Sequence, residues 1–127
     1  MRVSRFVVPA CLLVLAAGCS NSTGPTAGIL NVTLASPHSD DGAVLLQLSG
    51  GPVDSIESIG YPVYSARMGP DAVKLIVTGN LAAGAIARIH VPDLRQASRY
   101  NARLDQVAAR VTYAQHDPAE HSVTLLP

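Results

Sequence analysis

Aliphatic residues recur at every second position through most of the chain. Leu30, Val32 and Leu34 alternate with Asn31 and Thr33, Val44, Leu46 and Leu48 with Gln47 and Ser49, and Val73, Leu75 and Val77 with Lys74 and Thr78. Successive side chains of a β-strand point to opposite faces, so this period of two describes strands with one face buried and one face wet. Ala85, Ala87, Ile89 and Val91 extend the pattern against Arg88 and His90, and Val123 and Leu125 against Ser122 and Thr124. Clusters of turn formers separate the runs: Ser36 to Gly42, Gly50-Gly51-Pro52, Met68-Gly69-Pro70-Asp71, Gly79-Asn80, Ala83-Gly84 and Pro92-Asp93. Residues 53–59 form a weaker segment. Pro62 places the segment Tyr61 to Tyr64 at an edge or a bulge, because proline has no N–H to give to a ladder.

Residues 94–111 fit two templates. Tyr100, Leu104, Val107 and Val111 make a helical stripe, whereas Tyr100, Ala102 and Leu104 against Asn101, Arg103 and Asp105 make a strand. Intrinsic propensity favours the helix. The all-β surroundings and the Pro92-Asp93 entry favour a strand from about Arg99, followed by a loop or short helix. The fold expected is all-β, a sandwich of about seven or eight short strands.

The first eighteen residues have a different character. Arg2 and Arg5 precede an apolar run from Phe6 to Ala17, which is shorter than the roughly 20 residues of a bilayer-spanning helix and has the layout of a secretory signal. It ends Leu15-Ala16-Ala17-Gly18-Cys19, which resembles the lipobox of bacterial lipoproteins; Ala16 stands where that family usually has leucine, with Leu15 one place earlier. The resemblance implies cleavage between Gly18 and Cys19, lipidation of the Cys19 thiol, and anchoring of the mature chain to a membrane. Several acyl chains hold stably where one does not, at about 0.8 kcal/mol per buried CH2. Ser20 after the cysteine resembles the outer-membrane default where a sorting system exists.

The organisation expected is therefore a helical signal peptide over 1–18, a lipidated, disordered tether over 19–28, whose polar residues carry no apolar periodicity, and a sandwich over 29–127. With Cys11 in the signal and Cys19 lipidated, no disulfide is expected, and roughly 110 residues suffice for a core without one.

Further resemblances are architectural. Ser98-Arg99-Tyr100-Asn101-Ala102 resembles the tyrosine-corner strand of immunoglobulin-like and fibronectin-type domains, in which the tyrosine hydroxyl bonds back to the preceding corner. The alternative is that Tyr100 is a plain core aromatic. The stretch from Val73 to Pro92, with Gly79, Leu81 and Gly84 between two alternating strands, resembles cohesin-like sandwiches, and the likeness covers most of residues 29–126. Cohesins bind dockerin modules, but no binding residue transfers from a pattern of turns and apolar positions.

The chemistry-bearing residues are few. No Gly-x-Ser-x-Gly, P-loop, His-Glu-x-x-His or paired cysteine motif occurs, so no enzyme and no cofactor is expected. Trp is absent and the one Phe lies in the leader, which removes the usual stacking platforms for sugars and bases. Beyond the leader the chain carries a net charge of about −2, with no basic footprint for nucleic acid. Asp40-Asp41-Gly42 reads first as a turn, being far short of the six to eight oxygens of a calcium site. Arg88, Arg95, Arg99, Arg103 and Arg110, mixed with Asp93 and Asp105, read as a solvated surface. The segment His116-Asp117-Pro118-Ala119-Glu120-His121 gathers two imidazoles and two carboxylates that can ligate a transition metal, or simply form a polar hairpin before the last strand.

On sequence alone the chain reads as a non-catalytic, lipid-anchored lipoprotein of the bacterial cell envelope that presents its sandwich to an envelope protein or surface polymer. The alternative is a metal- or small-ligand-binding periplasmic module using His116, Asp117, Glu120 and His121.

Overall fold

The computed structural model describes residues 24–127; the expected signal helix, the Gly18–Cys19 junction and the lipidation site lie outside the described residues. The strands are β1 (Gly28–Ala35), β2 (Asp41–Ser49), β3 (Ser55–Ser58), β4 (Val63–Gly69), β5 (Ala72–Thr78), β6 (Gly84–Val91), β7 (Asn101–Ala109), β8 (Gln115–His116) and β9 (Ser122–Leu126). They form two antiparallel sheets, ordered β3-β6-β1-β9 and β4-β5-β2-β7-β8. The inner faces enclose one aliphatic core, with Leu30, Val32, Leu34, Ile86 and Ile89 from the first sheet against Val44, Leu46, Leu48, Leu75 and Val77 from the second. Each such side chain contributes about 1.5–3 kcal/mol by leaving water, which is how a chain so poor in aromatics holds two sheets together.

Most period-two segments form the strands expected, and the departures have a common cause. Each is a β-bulge, which inserts one residue and reverses the inside–outside phase beyond it. In β6 the register passes from Val32↔Ala87 to Thr33↔Ala85, so Ile86 is the extra residue; it is buried while Ala85 is exposed, against the expectation that Ala85 faces inward. In β7 the register passes from Leu45↔Gln106 to Leu46↔Leu104. Asp105 is the extra residue, and it lets Leu104 and Val107, three apart, both face inward. That spacing is what imitated a helix over 94–111. Val111, the last member of the supposed stripe, is exposed.

A loop follows β7 as expected, and a 3₁₀ turn, Leu94–Arg99, precedes it, capped by Asp93, which accepts from the Arg95 N–H. Tyr100 is buried, and its hydroxyl donates to the Pro52 carbonyl at 2.6 Å, in the β2–β3 connection 48 residues upstream. It is thus a core aromatic tied to a distant loop and not bonded to its own corner. Pro62 precedes edge strand β4, and its carbonyl accepts from the Thr78 N–H.

The sandwich begins at Gly28, one residue before the expected boundary. The end of the polar run is already fixed: the Thr26 N–H donates to Asp93 Oδ1 and the Thr26 carbonyl accepts from the Leu94 N–H. β1 then runs the length of the sandwich, about 25 Å at the usual rise per residue. Its far end opens into the crossover to β2, beside the start of β9 through the pair Ala35↔Ser122.

Candidate metal centre

At that far end three chain segments meet. The β1–β2 crossover carries Ser36, His38 and Asp40 and delivers Asp41 as the first residue of β2. β8 carries His116, paired with Val107 of β7. A second 3₁₀ turn, Pro118–Glu120, joins β8 to β9 and ends at His121. The crossover changes sheets here and the β8–β9 connection changes back, so the cluster sits across the open mouth between the layers.

The burial of Asp41 follows from a third bulge. Asp41 pairs with Ala109 and Ala43 with Ala108, leaving Gly42 as the extra residue, so Asp41 points inward on the same side as Val44. Glycine is required there, since a β-carbon would stand 2.4 Å from the Arg110 Cα. The Arg110 N–H donates to the Asp40 carbonyl at 2.7 Å and locks this crossing. Asp40-Asp41-Gly42 is therefore a bulged strand start, correcting its reading as a turn.

Among the described residues, the buried polar or charged ones are Asp41 and His121, and they face each other. The Asp41 side chain is 1% exposed and the His121 imidazole 0%, with Asp41 Oδ2 and His121 Nε2 3.3 Å apart. Each is oriented from behind. Ser36 Oγ donates to Asp41 Oδ2 at 2.6 Å, and His121 Nδ1 lies 3.1 Å from the Asp117 carbonyl. A carbonyl only accepts, so Nδ1 carries a proton, and Nε2 is the ring nitrogen that faces the carboxylate. Neither Asp41 Oδ1 nor His121 Nε2 has a hydrogen-bond partner. Leaving one such buried group unsatisfied costs about 1–3 kcal/mol, a cost that a cation held by the carboxylate and the imidazole would offset.

Around this pair lies a wetter set. His116 Nε2 is 3.2 Å from Asp40 Oδ1 and 3.8 Å from Asp41 Oδ1. His38 stacks on His116 with ring centroids 3.9 Å apart and planes within 3°, and its Nε2 is 3.4 Å from Glu120 Oε1. One ligand atom from each of His38, Asp40 and His116 lies within 4.8 Å of the others. Zinc–nitrogen bonds of about 2.0–2.1 Å in a tetrahedron put neighbouring ligand atoms roughly 3.3 Å apart, close to the His116–Asp40 distance of 3.2 Å. Three imidazoles and three carboxylates, with no Lys or Arg among them, also make the mouth a seat for a cation.

Of the four ligands expected from sequence, His116, Glu120 and His121 join this cluster. Asp117 does not: its carboxylate caps the 3₁₀ turn by accepting from the Ala119 N–H at 3.0 Å, and its contribution is the backbone carbonyl behind His121. Sequence reasoning missed His38, Asp40 and Asp41. The available signal was that three of the chain's four histidines fall in two short polar segments, each leading into a strand. The fourth, His90, pairs with Glu57 at 2.9 Å on β6 and β3, apart from the cluster. No helix among the described residues is long and apolar enough to cross a membrane. Comparison with protein-family models, curated proteins and solved structures returns no match to this chain.

Proposed function

We propose that the protein is a lipid-anchored, non-catalytic lipoprotein of the bacterial envelope whose sandwich, immunoglobulin-like or cohesin-like in kind, holds a divalent transition metal at the end away from its tether. The observation that carries the metal reading is the fully buried His121 imidazole, whose Nε2 lies 3.3 Å from the equally buried Asp41 carboxylate, with neither Nε2 nor Asp41 Oδ1 in a hydrogen bond. Nitrogen and carboxylate oxygen donors suit Zn2+, Cu2+, Ni2+ or Co2+. The absence of any sulfur donor in the cluster disfavours Cu+. The Ser36 hydroxyl and the Asp117 carbonyl supply the outer bonds that fix a ligand's orientation and tautomer.

The test is Co2+ and Zn2+ titration of the full chain in detergent micelles. A visible d–d band of tetrahedral or five-coordinate intensity, displaced by Zn2+ and lost in His116→Ala/His121→Ala, is the expected result. Wild-type affinity no greater than that of the double variant would refute it.

An interaction role for the same domain draws support from a separate surface. Leu45, Ile76 and Tyr64 stand side by side across β2, β5 and β4, and Ile76 and Tyr64 are exposed. Such a row on the outer face of a sheet suits a protein or polymer partner. Recovery of one specific envelope component by wild type, but not by Tyr64→Asp, is the outcome that reading requires.

A further inference from the structure

The six ligand candidates divide by burial into two tiers, and the division has a functional consequence that rests on the metal reading above. The inner tier is Asp41 and His121, dry and held from behind by Ser36 and by the Asp117 carbonyl. The outer tier is His38, Asp40 and Glu120, whose side chains are 31%, 52% and 53% exposed. His116, 17% exposed, lies between them, 3.2 Å from Asp40 of the outer tier and 3.8 Å from Asp41 of the inner. The ligand atoms of His38, Asp40 and His116 fall together, and His116 also lies 3.8 Å from Asp41, itself 3.3 Å from His121, so one ion in this arrangement has two seats that share His116.

We propose that the centre is a capture-and-hold relay for a divalent transition metal. A hydrated ion first meets the exposed carboxylate of Asp40 and the imidazoles of His38 and His116. It exchanges waters for these ligands while still open to solvent, where desolvation is incomplete and exchange is fast. With His116 as the common ligand the ion then moves inward, trading Asp40 and His38 for Asp41 and His121. The outer tier sets how fast an ion is taken up, because exposed charge steers encounter. The inner tier sets how slowly it leaves, because its ligands are preorganised and shielded from competing water.

The two tiers are separable by kinetics. The full chain in detergent micelles is mixed with Co2+ in a stopped-flow spectrometer, and release is followed by adding excess chelator. Asp40→Asn keeps the shape of an exposed side chain and is expected to slow association about tenfold with dissociation unchanged. His121→Asn keeps a donor for the Asp117 carbonyl but removes the Nε2 ligand, and is expected to speed dissociation about 10–100-fold with association unchanged. Melting in chelator checks that each variant folds, and if His121→Asn does not, the Asp40→Asn pair of constants still decides: a raised dissociation rate there overturns the relay. If both variants alter the same constant, the tiers are one undivided site and the relay fails while the metal reading stands. Absence of any wild-type signal overturns both.

Discussion

Replacing Asp41 by Asn should change stability in opposite directions with and without metal. In chelator, the wild type keeps a carboxylate 1% exposed, with Oδ1 unpartnered and the His121 Nε2, also without a hydrogen bond, 3.3 Å from Oδ2. Asn is nearly isosteric. Its oxygen keeps the bond from Ser36, and its amide nitrogen takes the place of the unpartnered Oδ1, on the side of His116. Removing that unsatisfied buried group is worth about 1–3 kcal/mol, a rise in melting midpoint of roughly 5–15 °C for a domain of this size. With Zn2+ at 100 times the wild-type Kd, binding stabilises the wild type by about 2.7 kcal/mol. If loss of the anionic ligand weakens binding tenfold, the variant gains only about 1.4 kcal/mol at the same free zinc. The variant should therefore melt higher in chelator, and zinc should narrow or reverse that lead. Differential scanning fluorimetry on both proteins, in chelator and across a zinc series, reads this directly. The reasoning fails if Asn destabilises the protein in chelator. That result would make His121 an imidazolium paired with Asp41, since stripping one partner from a buried ion pair costs about 3–5 kcal/mol.

Three further outcomes are expected. Gly42→Ala forces a β-carbon to 2.4 Å from the Arg110 Cα, so the strand crossing must shift; chemical denaturation should report a loss of about 1–3 kcal/mol, accompanied by weaker Co2+ binding because the same bulge aims Asp41. Leu46→Ala removes a 0% exposed side chain from the centre of the core and should cost about 2–5 kcal/mol, without altering the ligand set, so metal stoichiometry in the folded variant stays at the wild-type value. The Arg95 guanidinium, with help from the Thr26 and Arg95 N–H groups, holds the Asp93 carboxyl down to about 2. A depressed carboxyl stabilises the fold above its ordinary value of 3.8 and loses that contribution as pH falls toward 2; carboxyl-detected NMR titration should place its midpoint well below that of Asp93 in an unfolded peptide of the same sequence.

Much of this architecture is written in the order of residues, because alternation of apolar and polar side chains is a local property. The faces of Leu30, Val32 and Leu34, of Val44, Leu46 and Leu48, and of Val73, Leu75 and Val77 follow from it directly, and so do the breaks at Gly50-Gly51-Pro52 and Pro92-Asp93. What the alternation cannot carry is a change of phase. A bulge depends on what the neighbouring strand requires, and three of those in the described strands alter which side chain turns inward: Ile86 in place of Ala85, Leu104 together with Val107, and Asp41 instead of a solvated turn. The metal centre shows the same division. His116 and His121 announce themselves as a pair of ligands five residues apart, but their partners His38, Asp40 and Asp41 lie some eighty residues upstream. Only the two changes of sheet, from β1 to β2 and from β8 to β9, bring those segments to one end of the sandwich, and only the close crossing of Gly42 by Arg110 turns the Asp41 carboxylate into the dry space where a cation is called for.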